Sequence, residues 1–237
     1  MFIKDENYFK IKEFERNNIT AFFTRKSFFE RNTLKDLLPK NKIFISAYQK
    51  HTDVVKDISK TENRDYFEGV DGFITKRDDV VLVTKHADCL PIFFYDKKEK
   101  VIGMVHSGWK GSFQEIGLKT LNLMEKNYNS LRKNIIIGLG IGISCEKYEV
   151  GDEFYENFKS KFSYEIIKKS FKSYDGRKHF DNCEFNKLNF ISNGILKKNI
   201  IVSKECTFEG DFFSFRRDKN KERNYAVIYF NKKSLVI

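Results

Sequence analysis

A chain of 237 residues with 41% apolar residues and 25 phenylalanines has ample material for a large core, which argues against disorder. The 44 lysines and arginines against 33 acids leave a formal charge of +11, a balance shared by nucleic-acid binders and by lysine-rich enzymes with anionic substrates. The basic residues are scattered among acids and not gathered into one block, so a solvated lysine-rich surface is expected and nucleic-acid binding is the lesser reading.

In chain order, β-branched and aromatic runs at Ile19 to Phe23, Ile43 to Ala47, Gly72 to Thr75, Val80 to Thr84, Ile92 to Tyr95 and Val101 to Val105 predict strands. A helical period then links Phe113, Ile116, Gly117, Leu121, Met124 and Tyr128. Further strands are expected at Ile135 to Leu139, Ile200 to Ser203 and Ala226 to Phe230. Helices are expected around Phe154, Phe158 and Phe162 and from Asn186 to Leu196. The two prolines and the lack of any repeat or linker mark no domain boundary. The expectation is one α+β domain with a mixed, hairpin-rich sheet packed by helices.

Cys89, Cys145, Cys183 and Cys206 are widely spaced, form no CxxC pair and follow no apolar signal core. A reducing, cytoplasmic setting is therefore expected. No apolar run approaches the roughly 20 residues of a membrane-spanning helix, so no membrane partner is expected.

The candidate chemistry begins at His106, in Val-His-Ser-Gly-Trp-Lys-Gly, where a strand ends in a glycine-bearing turn before a helix expected near Phe113. Cys89 stands at the head of the preceding strand, in His-Ala-Asp-Cys-Leu-Pro. A two-residue turn at Lys97 and Lys98 would pair Asp96 with Glu99 and hence Cys89 with His106, close enough to share a metal. His86 would point to the opposite face in that register and is the weaker ligand. For a third ligand, His51 follows a strand and lies outside any helical pattern, with His179 as the competitor. Two imidazoles and one thiolate with a fourth position left open make the donor set of a catalytic zinc site. Two histidines and a cysteine also suit a mononuclear copper, with Met104 nearby; four histidines are too few for a multicopper oxidase.

The motifs His106-Ser-Gly-Trp-Lys-Gly111, Ala87-Asp-Cys-Leu-Pro91, Gln49-Lys-His51, Gly140-Ile-Gly-Ile-Ser-Cys145 with Tyr148-Glu-Val-Gly151, and Cys206-Thr-Phe with Phe212-Phe-Ser-Phe-Arg-Arg-Asp218 resemble the YfiH-like laccase-domain family of purine nucleoside phosphorylases and polyphenol oxidases. The resemblance implies a mixed α/β fold and zinc on His51, Cys89 and His106. It also implies phosphorolysis of adenosine, inosine, guanosine and methylthioadenosine, together with deamination of adenosine. Purine nucleosides and phosphate are the partners so implied. Lys110 stands where the family usually carries Arg, which keeps the charge and loses the bidentate fork.

Phosphorolysis requires an anion site, for which Arg216 and Lys110 rank above Arg217 and Arg25; adjacent arginines on a strand would alternate faces. Deamination requires a proton shuttle. The His-x-Glu and Pro-Cys-x-x-Cys signature of zinc deaminases is absent, which leaves Asp88 as candidate, with a hydrogen-bonding role as its alternative. The segment Gly138-Leu-Gly-Ile-Gly142 lacks the spacing and following βαβ unit of a dinucleotide fingerprint. It is expected to be a strand exit whose glycines permit close approach beside Cys145.

Overall fold

A computed structural model describes residues 1–59 and 65–231 of the protein. Each predicted apolar run forms a strand, and shorter strands flank them. In chain order the strands are β1 (Phe2–Lys4), β2 (Tyr8–Ile11), β3 (Ile19–Thr24), β4 (Ile43–Tyr48), β5 (Val55–Asp57), β6 (Tyr66–Glu68), β7 (Gly72–Thr75), β8 (Val80–His86), β9 (Leu90–Asp96), β10 (Val101–Ser107), β11 (Ile135–Leu139), β12 (Glu149–Val150), β13 (Phe171–Tyr174), β14 (Arg177–Phe180), β15 (Ile200–Val202) and β16 (Asn224–Phe230). The helices are α1 (Lys12–Glu15), α2 (Trp109–Phe113), α3 (Ile116–Tyr128), α4 (Asp152–Lys161), α5 (Tyr164–Ser170), α6 (Asn182–Ser192) and α7 (Phe215–Asp218).

The strands form a sheet of order β1-β2-β3-β16-β8-β4-β6, a second of order β15-β11-β9-β10-β7-β5, and a small third of order β12-β14-β13. Most pairs are antiparallel, but β4 runs parallel to β8 and β6, β5 to β7, and β11 to β15. This is the mixed α+β architecture expected. No helix among the described residues is long and apolar enough to cross a membrane.

The period of two along each strand explains how the layers stack. Phe93 and Tyr95 of β9 and Ile102 and Met104 of β10 face the first sheet, packing with Phe23, Leu82 and Ile228. The alternate residues Ile92, Phe94, Val101 and Val105 face Leu121 and Met124 of α3 and Phe190 of α6. A sheet covered on both faces needs unbroken apolar strands, which is how β9 and β10 read. Each such buried side chain contributes about 1.5–3 kcal/mol of transfer free energy, before the entropy of ordering it. Beyond these layers the four-residue spacing of Phe154, Phe158 and Phe162 puts one face of α4 against a separate cluster. There Phe158, Phe171, Phe180 and Phe185 are buried together.

The β9–β10 hairpin departs from the expected register. Asp96 pairs with Val101, and His106 with Pro91, so the connection is four residues long. Asp96 itself is the cause. Its carboxylate accepts the N–H groups of Lys98 (2.8 Å) and Glu99 (3.1 Å), and its carbonyl accepts that of Lys100 (3.0 Å). Lys100 turns the chain back in the left-handed region at φ 54°. This local capture of backbone donors competes with a two-residue turn. A displacement of two residues keeps every side chain on its face, whereas one residue would have reversed them all. Cys89, in line with Pro91 and Phe93, therefore projects to the same inter-sheet side as Met104 and His106.

Two further expectations are corrected. His86 is the last residue of β8, in the other sheet, and not an extension of β9. Arg216 and Arg217 lie on the short helix α7, capped by the Ser214 hydroxyl accepting the Arg217 N–H, so they do not alternate as strand residues.

Candidate metal centre and its cavity

Three distant segments converge at one end of the inter-sheet layer. His106 is the penultimate residue of β10, Cys89 sits immediately before β9, and His51 lies in the loop after β4. Their ligand atoms are all within 4.8 Å of one another. The imidazoles meet edge to face, with ring centroids 4.8 Å apart. The Cys89 sulfur lies within that same distance of a nitrogen of each ring.

A single buried carboxylate organises the two histidines. Asp71 immediately precedes β7 and has no exposed surface. It accepts a hydrogen bond from Nδ1 of His106 at 2.8 Å, which fixes the tautomer and leaves Nε2 free as a ligand. It also accepts the backbone N–H groups of Lys50 (3.1 Å), His51 (3.2 Å) and Thr52 (2.8 Å), and the Thr52 hydroxyl (2.8 Å). Three successive amides wrapped on one anion hold His51 in the left-handed region, at φ 58°. Burial alone would raise the Asp71 pKa; these donors, His106 foremost, outweigh it and hold the carboxyl below its usual range. Gln49 anchors the same loop from the other side. Its amide donates to the Lys85 carbonyl at 2.9 Å and accepts the Lys85 N–H at 2.8 Å.

Burial also opposes a Cys89 thiolate, yet the two imidazoles prevail and bring the thiol down to about 6. His106 shifts upward in turn: burial resists, and Cys89 and Asp71 overcome it. A proton shared in this way among a thiolate and imidazoles is what a cation would replace. Gly108 leaves room for the approach, because a Cβ there would stand 2.9 Å from the Cys89 sulfur and 3.0 Å from the His51 ring. His86 packs against His106, ring centroids 5.1 Å apart, but both its nitrogens are used. Nδ1 meets the Cys89 carbonyl at 3.0 Å and Nε2 the Thr84 hydroxyl at 2.8 Å. Burial, followed by His106, lowers its pKa, so it stays neutral and has no lone pair to give. The donors therefore fit one ion: two nitrogens and a sulfur converge, with the remaining direction facing a cavity.

That cavity has a volume of ≈ 940 Å³ and is lined by all three residues, by Asp88, Tyr148 and Arg216, and by exposed aromatic rings at its mouth. Asp88 adopts φ 83°. Its carboxylate accepts the Thr207 hydroxyl at 2.7 Å and the Arg216 N–H at 2.6 Å, which seats α7 on the cavity wall. Gly142 passes close behind, where a Cβ would lie 3.0 Å from the Asp88 carbonyl. The glycine-rich strand exit thus permits close approach here. The Arg216 guanidinium lies over the Tyr148 ring at 5.3 Å and donates two N–H groups to the Glu149 carbonyl, each at 3.2 Å.

The other expected cations do not line the cavity. Lys110 is exposed beside it, over the Trp109 ring at 5.6 Å. Arg217 is bound to the carbonyls of Phe208 (2.7 Å) and Phe212 (2.6 Å) and to the Asp218 carboxylate. Arg25 is bound to the Glu6 carbonyl at 2.7 Å and to Asp211 at 3.0 Å. Sequence reasoning missed Asp71, Lys85, Lys219 and Arg223, and it named Tyr148 only within a motif, without a role. An acid directly ahead of a Gly-Phe-Ile-Thr strand was the one signal for Asp71, since an unpartnered carboxylate would not be buried there.

With this geometry in place, comparison with known proteins is informative. The family described as multi-copper polyphenol oxidoreductase laccase matches residues 29–231. A purine nucleoside phosphorylase of Borreliella burgdorferi is 36% identical over 235 residues, covering 96% of this chain and 98% of the relative. One from Bacteroides thetaiotaomicron is 31% identical over 168 residues, covering 70% of this chain and 62% of the relative. The crystal structure of YlmD from Geobacillus stearothermophilus superposes with a TM-score of 0.86 at 21% identity, covering 98% and 99% of the two chains. That of the hypothetical protein YfiH from Bacillus licheniformis gives 0.84 at 22% identity, covering 97% and 99%. At such identities these two likenesses establish the fold.

Proposed function

This chain belongs to the YfiH-like laccase-domain family, and we propose that it is a zinc-dependent purine nucleoside phosphorylase. In this reading it cleaves adenosine, inosine, guanosine and methylthioadenosine with phosphate, and deaminates adenosine as a second activity. The observation that carries the reading is the convergence of His51, Cys89 and His106 on one face of a large cavity, in a chain whose relatives bear the phosphorylase name.

Zinc bound to that set supplies a Lewis acid. The protein supplies the rest. Asp71 keeps the His106 ring and the His51 backbone in place, so no reorganisation is needed when substrate arrives. Arg216, whose guanidinium contacts are to a neutral carbonyl and a ring, retains its full charge for phosphate. Tyr148 is half-buried on the cavity wall, and desolvation first and the Cys89 charge second raise its pKa. It therefore stays a phenol at neutral pH and offers a hydrogen-bond donor to the departing base. Asp88 remains the proton-shuttle candidate for deamination, facing the cavity while its oxygens hold Thr207 and α7. Lys110, Arg217 and Arg25 act from outside the cavity in this reading, so phosphate falls to Arg216. The donor count supports one ion: His51, Cys89 and His106 form the one such cluster among the described residues, and His86 is saturated.

Adenosine incubated with and without phosphate tests the proposal. Adenine appearing only with phosphate supports phosphorolysis, and inosine appearing without it supports deamination. Neither product from metal-replete protein would overturn the reading.

A further inference from the structure

The mouth of the cavity carries a feature that phosphorolysis of a free nucleoside does not call for. Tyr48, Trp109 and Phe215 come from three separate segments, all line the cavity, and are 59%, 40% and 50% exposed. Large aromatic rings gathered at one exposed site mark a place where something binds. Each ring has a cation over it: Lys50 at 5.7 Å from Tyr48, Lys110 at 5.6 Å from Trp109, and both Lys219 (5.5 Å) and Arg223 (5.9 Å) at Phe215. Lys85 and Arg216 add to the same wall.

These cations are available to an anion. Among the described residues Lys85, Lys110, Arg216, Lys219 and Arg223 form no ion pair, whereas Lys50 is paired with Glu68 at 2.6 Å. The acids on the lining are engaged elsewhere: Glu149 pairs with Arg177 at 3.1 Å, and both Asp88 oxygens accept hydrogen bonds. Rings that stack on a base, alternating with cations that take a phosphodiester, form the surface that single-stranded nucleotides bind. Rings drawn from three segments around one concavity suit a compact ligand, where an extended strand would need a linear groove. A volume of ≈ 940 Å³ lies near the upper end of the range for small-molecule sites, which leaves room for a ligand larger than one nucleoside.

We propose that the site takes a phosphate-linked purine dinucleotide, with one nucleoside toward His51, Cys89 and His106, the phosphate on Arg216, Lys219 and Arg223, and the second base stacked on the aromatic mouth. The inner placement rests on the nucleoside reading above.

Trp109 is the sole tryptophan of the chain, so its fluorescence reports directly on the mouth. Metal-replete protein is titrated at low salt with adenosine, adenylyl-adenosine, a long oligoadenylate and pyrophosphate. Adenylyl-adenosine is expected to bind about tenfold or more tightly than adenosine and to quench Trp109 further. That advantage should shrink in high salt and in Phe215→Ala and Lys219→Gln, both changes at exposed positions. Equal affinity for adenosine and adenylyl-adenosine overturns the inference while leaving the nucleoside reading intact. Affinity rising steadily with oligoadenylate length overturns it in favour of a strand-binding surface, and displacement of adenylyl-adenosine by equimolar pyrophosphate reduces the mouth to a simple anion site. Adenylyl-adenosine binding with no adenosine binding supports the mouth and removes the nucleoside reading.

Discussion

The two sides of the one cavity are built on opposite principles. On the inner side Asp71, His86 and His106 are buried and partnered, and Asp71 alone accepts five hydrogen bonds, three of them from backbone amides of the loop that carries His51. On the outer side the aromatic rings are exposed and several cations have only a ring or a carbonyl beside them. The inner side is preorganised, so changes there should disturb metal and fold together. The outer side is adaptable, so changes there should alter ligand preference and leave the fold untouched.

The largest break in that contrast is Cys89→Ala, which removes the thiolate and should reduce adenosine turnover below detection while chemical denaturation still shows a cooperative transition. Turnover retained at wild-type level would take Cys89 out of the mechanism. Next comes Asp71→Asn, which sets an amide against a nest of donors. It should cost about 3 kcal/mol of stability and about 10–100-fold in metal affinity, measured by denaturant titration and by competition with a chelator. An unchanged metal affinity would show that Asp71 is structural only. Arg216→Ala should raise the KM for phosphate by about tenfold or more, the scale of a lost charge-assisted hydrogen bond, with a smaller change in the KM for nucleoside. The smallest effect separates the two neighbouring histidines. His86→Phe should cost about 1–3 kcal/mol of stability and leave metal content at the wild-type value, whereas lost metal would mean that His86 is a ligand.

Much of this was legible in the chain because its signals are local. Uninterrupted apolar runs specify β9, β10 and β11, which are covered on both faces, and four-residue spacing of phenylalanines specifies α4. The Cys89 and His106 pair survived an error in register because the error was two residues, and side-chain direction repeats every two. The error itself arose where a side chain, Asp96, captured backbone N–H groups that a turn rule assigns to strand pairing. Asp71 carries no periodic signal, and its role depends on β7 lying beside β10, a long-range pairing. The third sheet and α5 were missed for a related reason: β12 to β14 are short and half-exposed, so they lack the alternation that marks a buried strand. The ring–cation mouth comes from side chains such as Trp109 and Phe215, whose exposure no composition count reveals.

The central claim is that His51, Cys89 and His106 hold one metal ion. Elemental analysis of protein purified without added metal tests it most directly. The proposed function predicts close to one equivalent of zinc per chain, lost in Cys89→Ala. Metal retained in Cys89→Ala, or stoichiometric copper with a visible charge-transfer band, would contradict it.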